Sequence, residues 1–359
     1  MKKLISVIIP TFNPNQIYLT ELINSIKMQQ FSDFELLIVD DSSNNGVIEK
    51  VINQPQSNIP QIKVLKNTRT KGVAGAINTG ILVANSHYII HSGDDDLYVP
   101  STFLFVEPDL TTILSCDNIA GGYVGLINLP SHFSLQEIIK NYNRLICYKN
   151  YYPKIDFLTI RNGPCFAAHQ VFLKSSIAKA ALYDEEITYG GDHEFWLRLL
   201  RNGYEFTYLN RHGAIYRQRQ KSLSHANLLS GLLSRLETDD ALQNEIQDKH
   251  IIRDSPFVYK KSAEHYQNLL LKIQKIANWA GYAHAMKNES EYDKIISLIP
   301  KYDLKFIKPY AIREAVKGGF IRYFLIEYTE QKAELMANDR VIIHEIEKVT
   351  LDIAKKIFG

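Results

Sequence analysis

His87-Tyr88-Ile89-Ile90-His91-Ser92-Gly93-Asp94-Asp95-Asp96-Leu97-Tyr98-Val99-Pro100 is a short apolar run that ends in three consecutive carboxylates. A buried strand with acidic oxygens at its end puts negative charge at the carboxyl edge of a sheet, where open α/β sheets bind their ligands. Three adjacent carboxylates repel one another unless a divalent metal or a basic group stands among them. Hard oxygen ligands of this kind suit Mg²⁺ or Mn²⁺, which keep waters and share positions with substrate phosphates. Taken alone, the triplet reads as a solvated acidic turn. The sequence on either side reverses that reading.

Upstream, Leu4 to Ile9 is a β-branched apolar run stopped by Pro10-Thr11-Phe12-Asn13-Pro14, after which Ile17, Leu19, Leu22, Ile23 and Ile26 recur at helical spacing. The unit repeats. Phe34 to Val39 reads as a strand ending in Asp40-Asp41-Ser42-Ser43, a helix follows, and Ile62 to Leu65 is a third strand. Gly72 to Ala84 reads as a helix with Val73, Ile77, Ile81 and Leu82 on one face, leading into the strand that ends at the aspartates. Such alternation implies parallel strands with helices on both faces.

Downstream the pattern is mixed: a helix near Thr102, an apolar stretch Tyr123 to Leu129, a helix from Ser134 to Asn143 and a strand through Phe166 to Phe172. Tyr189-Gly190-Gly191-Asp192 opens a helix, His193 to Arg201, closed by Asn202-Gly203. Glu205 to Leu209 and Gly213 to Arg217 read as two short strands. From Ala226 onward Leu, Ile, Lys, Glu and Tyr recur at helical spacing without a repeat, so residues 226–359 are expected to be helical.

The 359 residues are 45% hydrophobic and 22% charged, an ordinary globular composition with room for one α/β domain and a smaller region. A net charge of +2 does not call for nucleic acid. Cys116, Cys147 and Cys165 lack metal spacing and fit a reducing, cytoplasmic compartment. The first residues hold too few apolar positions for a signal core, and no stretch approaches the roughly 20 of a membrane span.

Four segments together resemble the family 2 inverting glycosyltransferases, whose catalytic domain has the GT-A fold. They are Ser6-Val7-Ile8-Ile9-Pro10-Thr11-Phe12-Asn13, Phe34 to Ser43, the aspartate triplet, and Gly191-Asp192-His193-Glu194-Phe195-Trp196-Leu197-Arg198. The resemblance spans residues 4–225. It implies an α/β class, a Rossmann-like and mostly parallel sheet flanked by helices over 1–225, with the helical 226–359 left for acceptor, membrane or oligomer contacts.

What it implies of the site follows residue by residue. Pro10, Thr11, Phe12, Asn13, Asp40 and Asp41 line the base and ribose pocket; for the aspartates and for Ser42 and Ser43 a helix N-cap is the competing reading. Arg69 and Lys71 stand where a diphosphate meets a helix start, and the arginine common inside that helix is Ile77 here. The triplet matches the metal-binding Asp-X-Asp element, with Gly93 in place of its first acid. On that alignment Asp95 is the first metal ligand, Asp94 serves ribose or metal, and Asp96 supports the ligands or faces the acceptor. Mn²⁺ or Mg²⁺ is the implied cofactor. Asp192 is the implied base, and the helix dipole favours the ionised carboxylate that a base requires. Gly191 and Glu194 lie beside it toward the acceptor, His169 and Gln170 match a His-Gln pair near the donor sugar, and Trp196 reads as core. Arg217, Arg219 and Lys221 form a basic flap or a solvated loop, with Arg219 at a usual histidine position.

The implied partners are a nucleoside diphosphate sugar, UDP first among nucleotides, and a glycan or lipid-linked glycan acceptor of bacterial surface polysaccharide. The basic run Leu351 to Phe358 suits either a peripheral membrane contact or a homo-oligomer. Two other classes stand beside this one: a degenerate nucleotide-sugar-binding scaffold, and a sugar nucleotidyltransferase, whose glycine-rich basic first loop is missing from Pro10 to Pro14. A processive synthase would need membrane spans and a Gln-X-X-Arg-Trp motif, and neither occurs.

Overall fold

Strand β1 (Lys3–Thr11) is buried from Leu4 to Ile9, apolar there except for Ser6, instead of alternating, as expected of a parallel strand covered on both faces. It pairs in parallel with β2 (Phe34–Asp40) on one side and β4 (Ser86–His91) on the other, and β3 (Ile62–Lys66) adds in parallel beyond β2. The register sets Thr11 beside Asp40, Asp40 beside Lys66 and Ile8 beside His91, so the strand ends open onto one edge. The computed structural model describes residues 2–42, 46–53, 62–130, 167–187 and 190–218, isolated positions between 229 and 283, and residues 288–298.

Helices α1 (Gln16–Lys27), α2 (Gly46–Ile52) and α3 (Val73–Val83) intervene between these strands, as the alternation requires. Asn15 caps α1, its side-chain oxygen accepting from the N–H groups of Ile17 and Tyr18. Leu19, Leu22, Ile23 and Ile26 face the core, whereas Ile17 is exposed. In α3 only part of the expected face is inward: Ile77 and Ile81 are buried, Val73 and Leu82 exposed. Both exceptions sit at a helix end, where the apolar stripe has rotated off the sheet.

The eight-stranded sheet runs β3-β2-β1-β4-β7-β6-β8-β5, with β5 (Leu97–Tyr98), β6 (Ile119–Pro130), β7 (Val171–Lys174) and β8 (Glu205–Gln218). Strand β7 is antiparallel to β4 and β6, β8 is parallel to β6, and β5 is antiparallel to β8. Only Ser92 to Asp96 join β4 to β5, although three strands stand between them in the sheet. Four strand spacings of about 4.8 Å leave almost no slack for so short a link, so the sheet must curl. The acidic turn therefore spans the mouth of the curl.

Two expectations are corrected. The strand foreseen through Phe166 to Phe172 is a 3-10 turn, Ala168–Gln170, followed by β7, and Phe166 lies outside the described residues. The two strands foreseen from Glu205 are one strand, β8. Its pairing with β6 advances from Tyr123↔Tyr208 to Gly125↔His212, so extra residues are absorbed as a bulge without a break.

Helix α4 (Thr102–Ile113) carries Phe103, which meets Phe34, Tyr98 and Phe172 edge-on at 5.2–6.0 Å and ties β2, β5 and β7 into one core. Helices α5 (Ser175–Ala181) and α6 (Gly191–Arg201) follow β7. The chain divides into two units, Met1–Gln218 and Arg219–Gly359. The expected boundary after His225 and helix Ser134 to Asn143 lie outside the described residues, as does most of 226–359. In the second unit, α7 (Glu289–Ile296) starts at Asn288, whose side chain accepts from Glu291 N–H. Among the described residues no helix is long and apolar enough to cross a membrane.

Candidate active site

The first turn leaves β1 with Thr11 buried and donating to the Val39 carbonyl at 3.3 Å, while Phe12 is 56% exposed. Asn13 takes a left-handed φ of 49°, which asparagine tolerates better than most residues. Lys71 Nζ stands 5.4 Å from the centre of the Phe12 ring, so an exposed aromatic face and a cation meet beside Pro10 to Asn13.

The Asp40-Asp41 turn after β2 is held by the protein itself. Asp40 Oδ1 accepts from Ser42 N–H at 3.0 Å and from the Ser42 hydroxyl, and Oδ2 accepts from Lys66 Nζ at 2.5 Å. Burial alone would raise the Asp40 carboxyl, but Lys66 and Ser42 outweigh it and hold it below the ordinary value. Asp41 Oδ1 accepts from the Asn67 amide at 2.7 Å and Oδ2 from Gly72 N–H at 2.8 Å. Asp41 fixes the entry to α3. Ser43 lies outside the described residues.

The turn after β4 differs. A Cβ placed on Gly93 would stand 2.9 Å from Asp95 Oδ1 and 3.1 Å from Asp96 Oδ2, so both oxygens fold toward the same space over the glycine. Asp95 and Asp96 are buried and Asp94 half-buried. Asp96 Oδ1 accepts from Arg217 N–H at 3.2 Å, and Oδ2 lies 3.4 Å from His169 Nδ1. Burial, then the neighbouring His91, push His169 down to about 3, so a neutral imidazole faces that carboxylate. Its Nε2 is buried with no hydrogen-bond partner among the described residues. Among those residues no three His, Cys, Asp or Glu side chains gather round one point. Two converging oxygens nevertheless fit an ion such as Mg²⁺ or Mn²⁺, which takes one or two carboxylates and fills its shell with water and phosphate.

Other expected contacts are engaged within the fold. The Gln170 amide donates to the Val124 carbonyl and accepts from Ala167 N–H, each at 2.7 Å. Arg69 pairs with Glu185. Arg217 is turned inward, 2% exposed, and Arg219 and Lys221 lie outside the described residues.

Helix α6 opens at Gly190, whose φ of 73° is left-handed and favours glycine. Asp192 stands in the first turn, and its Oδ1 accepts from His193 N–H at 2.8 Å, so it is not the N-cap. Gly191 beside it is half-buried. Glu194, expected toward the acceptor, is gripped by Arg198 through both oxygens at 2.6 and 3.1 Å. Arg198 also donates to the carbonyls of Ala181 and Leu182 at 2.7 Å, tying α6 to the end of α5. Trp196 lies in the core against Phe195 and Phe206.

Tyr183 joins the two halves. Its hydroxyl is 2.6 Å from His91 Nε2 on the strand that feeds the acidic turn, and its ring stacks on Phe195 of α6 at 4.2 Å. Burial, then the charges of Asp192 and Glu194, raise its hydroxyl well above the ordinary value.

Residues 6–104, which hold both acidic turns and the Phe12-Lys71 face, match Glycosyl transferase family 2. The chain is 29% identical over 213 residues to an uncharacterized glycosyltransferase of Methanocaldococcus jannaschii, covering 57% of this chain and 67% of that protein. It is 27% identical over 288 residues to the GalNAc(5)-diNAcBac-PP-undecaprenol beta-1,3-glucosyltransferase of Campylobacter jejuni, covering 76% of this chain and 83% of that one. Among solved structures, S. aureus TarS 1-349 in complex with UDP-GlcNAc is similar with a TM-score of 0.50 at 17% identity, covering 99% of this chain and 90% of that chain. That likeness is one of fold, the GT-A arrangement of a curled α/β sheet.

Some of the contacts that shape this site have no signal in the sequence. Glu185 accepts from Asn78, Thr70 N–H and Arg69, and so ties the loop before α3 to the segment that leads into α6. Burial would raise its carboxyl, yet these three donors together bring it down to about 2. Nothing local signals a bond across so much chain. The Glu194–Arg198 pair, by contrast, was readable from its i,i+4 spacing.

Proposed function

We propose that this glycosyltransferase moves a sugar, with inversion, from a nucleoside diphosphate sugar to a hydroxyl of a glycan or lipid-linked glycan. The observation that carries the reading is the convergence of Asp95 Oδ1 and Asp96 Oδ2 over Gly93, at the strand ends where α/β sheets take ligands. UDP is the favoured nucleotide, since a solved structure of like fold holds UDP-GlcNAc. A lipid-linked acceptor in surface polysaccharide assembly is favoured because the Campylobacter jejuni relative's name places its glucosyl transfer on an undecaprenol-linked glycan.

In this reading Thr11, Phe12, Asn13 and Asp41 frame the base and ribose, Lys71 approaches the diphosphate, and Asp94 orients the ribose side. Asp95 and Asp96 would hold Mg²⁺ or Mn²⁺, which when bound supplies Lewis acidity at the departing diphosphate. Asp192 takes the proton of the acceptor hydroxyl as its oxygen bonds to the anomeric carbon; the bond to the β-phosphate oxygen breaks on the opposite face, and the nucleoside diphosphate leaves with that electron pair. His169, a neutral imidazole against Asp96, keeps that carboxylate oriented.

Thermal unfolding with UDP, GDP, CDP and dTDP, each with and without Mn²⁺, tests this. A nucleotide at about 100 times its dissociation constant stabilises the native state by about 2.7 kcal/mol. One nucleotide giving that shift only with Mn²⁺ is the expected result. No shift with any of the four would overturn the reading in favour of a degenerate scaffold. Asp192→Asn should keep the shift and slow release of nucleoside diphosphate from the matching sugar donor by about 10²-fold or more.

A further inference from the structure

Arg217 is among the largest fully buried side chains, and its side chain is only 2% exposed. Its Nη2 donates to Glu21 Oε2 of α1 at 2.6 Å, its Nε to the Asp95 carbonyl at 3.1 Å, and its backbone N–H to Asp96 Oδ1 at 3.2 Å. The guanidinium carbon lies 4.8 Å from the centre of the Tyr18 ring. Three elements, α1, β8 and the turn after β4, thus meet on one planar cation.

We propose that Arg217, anchored by Glu21, is the positioning residue of the acidic turn and does not bind the diphosphate. This rests on the donor reading of that turn. A phosphate-binding arginine must present its fork to the ligand, whereas here Nη2 is given to Glu21 and Nε to the Asp95 backbone. Two converging carboxylates push apart, and a guanidinium fixed on the Asp95 carbonyl, with the Arg217 backbone N–H on Asp96 Oδ1, offsets part of that repulsion. The rigid guanidinium also fixes the direction of the Asp95 peptide, and the β8 backbone fixes one oxygen of Asp96. Glu21 serves the site only by holding Arg217 in place.

The two roles differ in what Glu21 does. If Arg217 positions the turn, loss of Glu21 loosens it and weakens nucleotide binding wherever the metal is needed. If Arg217 were a diphosphate ligand, loss of Glu21 would release the fork and leave binding equal or tighter.

The experiment is calorimetric titration of UDP, with and without saturating Mn²⁺, into wild type, Glu21→Ala, Arg217→Lys and the double variant. Each single variant should bind UDP about tenfold more weakly in Mn²⁺, the loss that accompanies one charge-assisted hydrogen bond, with binding in the absence of metal unchanged. The double variant should be no worse than either, because both act through one contact. Wild-type affinity for Glu21→Ala overturns the proposal, as does an equal loss with and without Mn²⁺, or a lowered melting temperature with unchanged affinity. If Arg217→Lys fails to fold, Glu21→Ala decides alone, since Glu21 lies on α1, outside the acidic turn, and its side chain is 17% exposed. A wild type that binds none of the four nucleotides overturns the donor reading instead, and this inference with it.

Discussion

Two acidic turns stand at the same edge of the sheet, one after β2 and one after β4, and their carboxylates are arranged differently. Asp40 and Asp41 are met by Ser42, Lys66, Asn67 and the Gly72 N–H, donors supplied by neighbouring strand ends and by the entry to α3. Asp96 also accepts from a backbone N–H, that of Arg217, but Asp95 Oδ1 and Asp96 Oδ2 turn toward one space over Gly93. A carboxylate surrounded by donors stabilises the fold, whereas carboxylates held against each other stabilise it only when a cation joins them. Acidic residues at a strand end are therefore not one motif, and the neighbours decide whether they build or bind.

The sharpest test exchanges the two. Asp95→Asn should abolish the Mn²⁺-dependent nucleotide shift and slow transfer on the order of a hundredfold or more, as loss of a main electrostatic contact does. The melting temperature without ligand should stay level or rise, because a like charge has gone. A clear fall in ligand-free stability would erase the distinction between the turns.

Acidification should separate the turns next. His91, three residues before Asp94, is pushed down to about 4 by burial, below the ordinary 6.5. The unfolded chain then binds the proton that the fold excludes, so His91's stability contribution is full above pH 6.5 and is lost as pH falls from there toward 4. The loss is on the order of 3 kcal/mol for a shift of this size. Asp40, with its carboxyl held below the ordinary range, keeps its ion pair through that window. Of the groups facing His91, Tyr183 does not titrate there, while His169, also depressed, does. His91→Gln should therefore roughly halve the slope of melting temperature against pH between 6.5 and 4. An unchanged slope would place the acid sensitivity elsewhere.

Asp40→Asn should lower stability by about 2 kcal/mol, the scale of a charge-assisted hydrogen bond, and leave the Mn²⁺-dependent nucleotide shift in place. Lys66 is largely exposed and can return to water, which keeps the cost from being larger. If the nucleotide shift vanished instead, Asp40 would hold the ligand as well as the fold.

Much of this contrast was out of reach of the sequence, for physical reasons. The first four strands and α1 to α3 were legible because apolar runs and helical spacing are local signals, and both acidic turns and Asp192 could be named from short segments. Strand β5 has two residues and no period to read, and the bulge in β8 depends on its register with β6. The roles of Gln170, Glu185 and Arg217 depend on partners far along the chain: Val124, Arg69 and Glu21. Residue type announced that these side chains were polar, while only the fold showed whether they turn toward a ligand or toward the protein.

The smallest expected effect concerns a residue with no side chain. Gly93 is not left-handed, unlike Gly72, Gly190 and Gly203, so its backbone accepts alanine without strain. What alanine adds is a methyl 2.9 Å from Asp95 Oδ1 and 3.1 Å from Asp96 Oδ2. Asp96 cannot yield freely, because Arg217 N–H holds its other oxygen, so Asp95 must rotate away. Gly93→Ala should then weaken Mn²⁺-dependent nucleotide binding by about tenfold, or about 1.4 kcal/mol, with no loss of ligand-free stability. Titration of the matching nucleotide with and without Mn²⁺ separates the cases. Unchanged binding with Mn²⁺ would mean that the two oxygens need not converge, and the second turn would then differ from the first in charge alone.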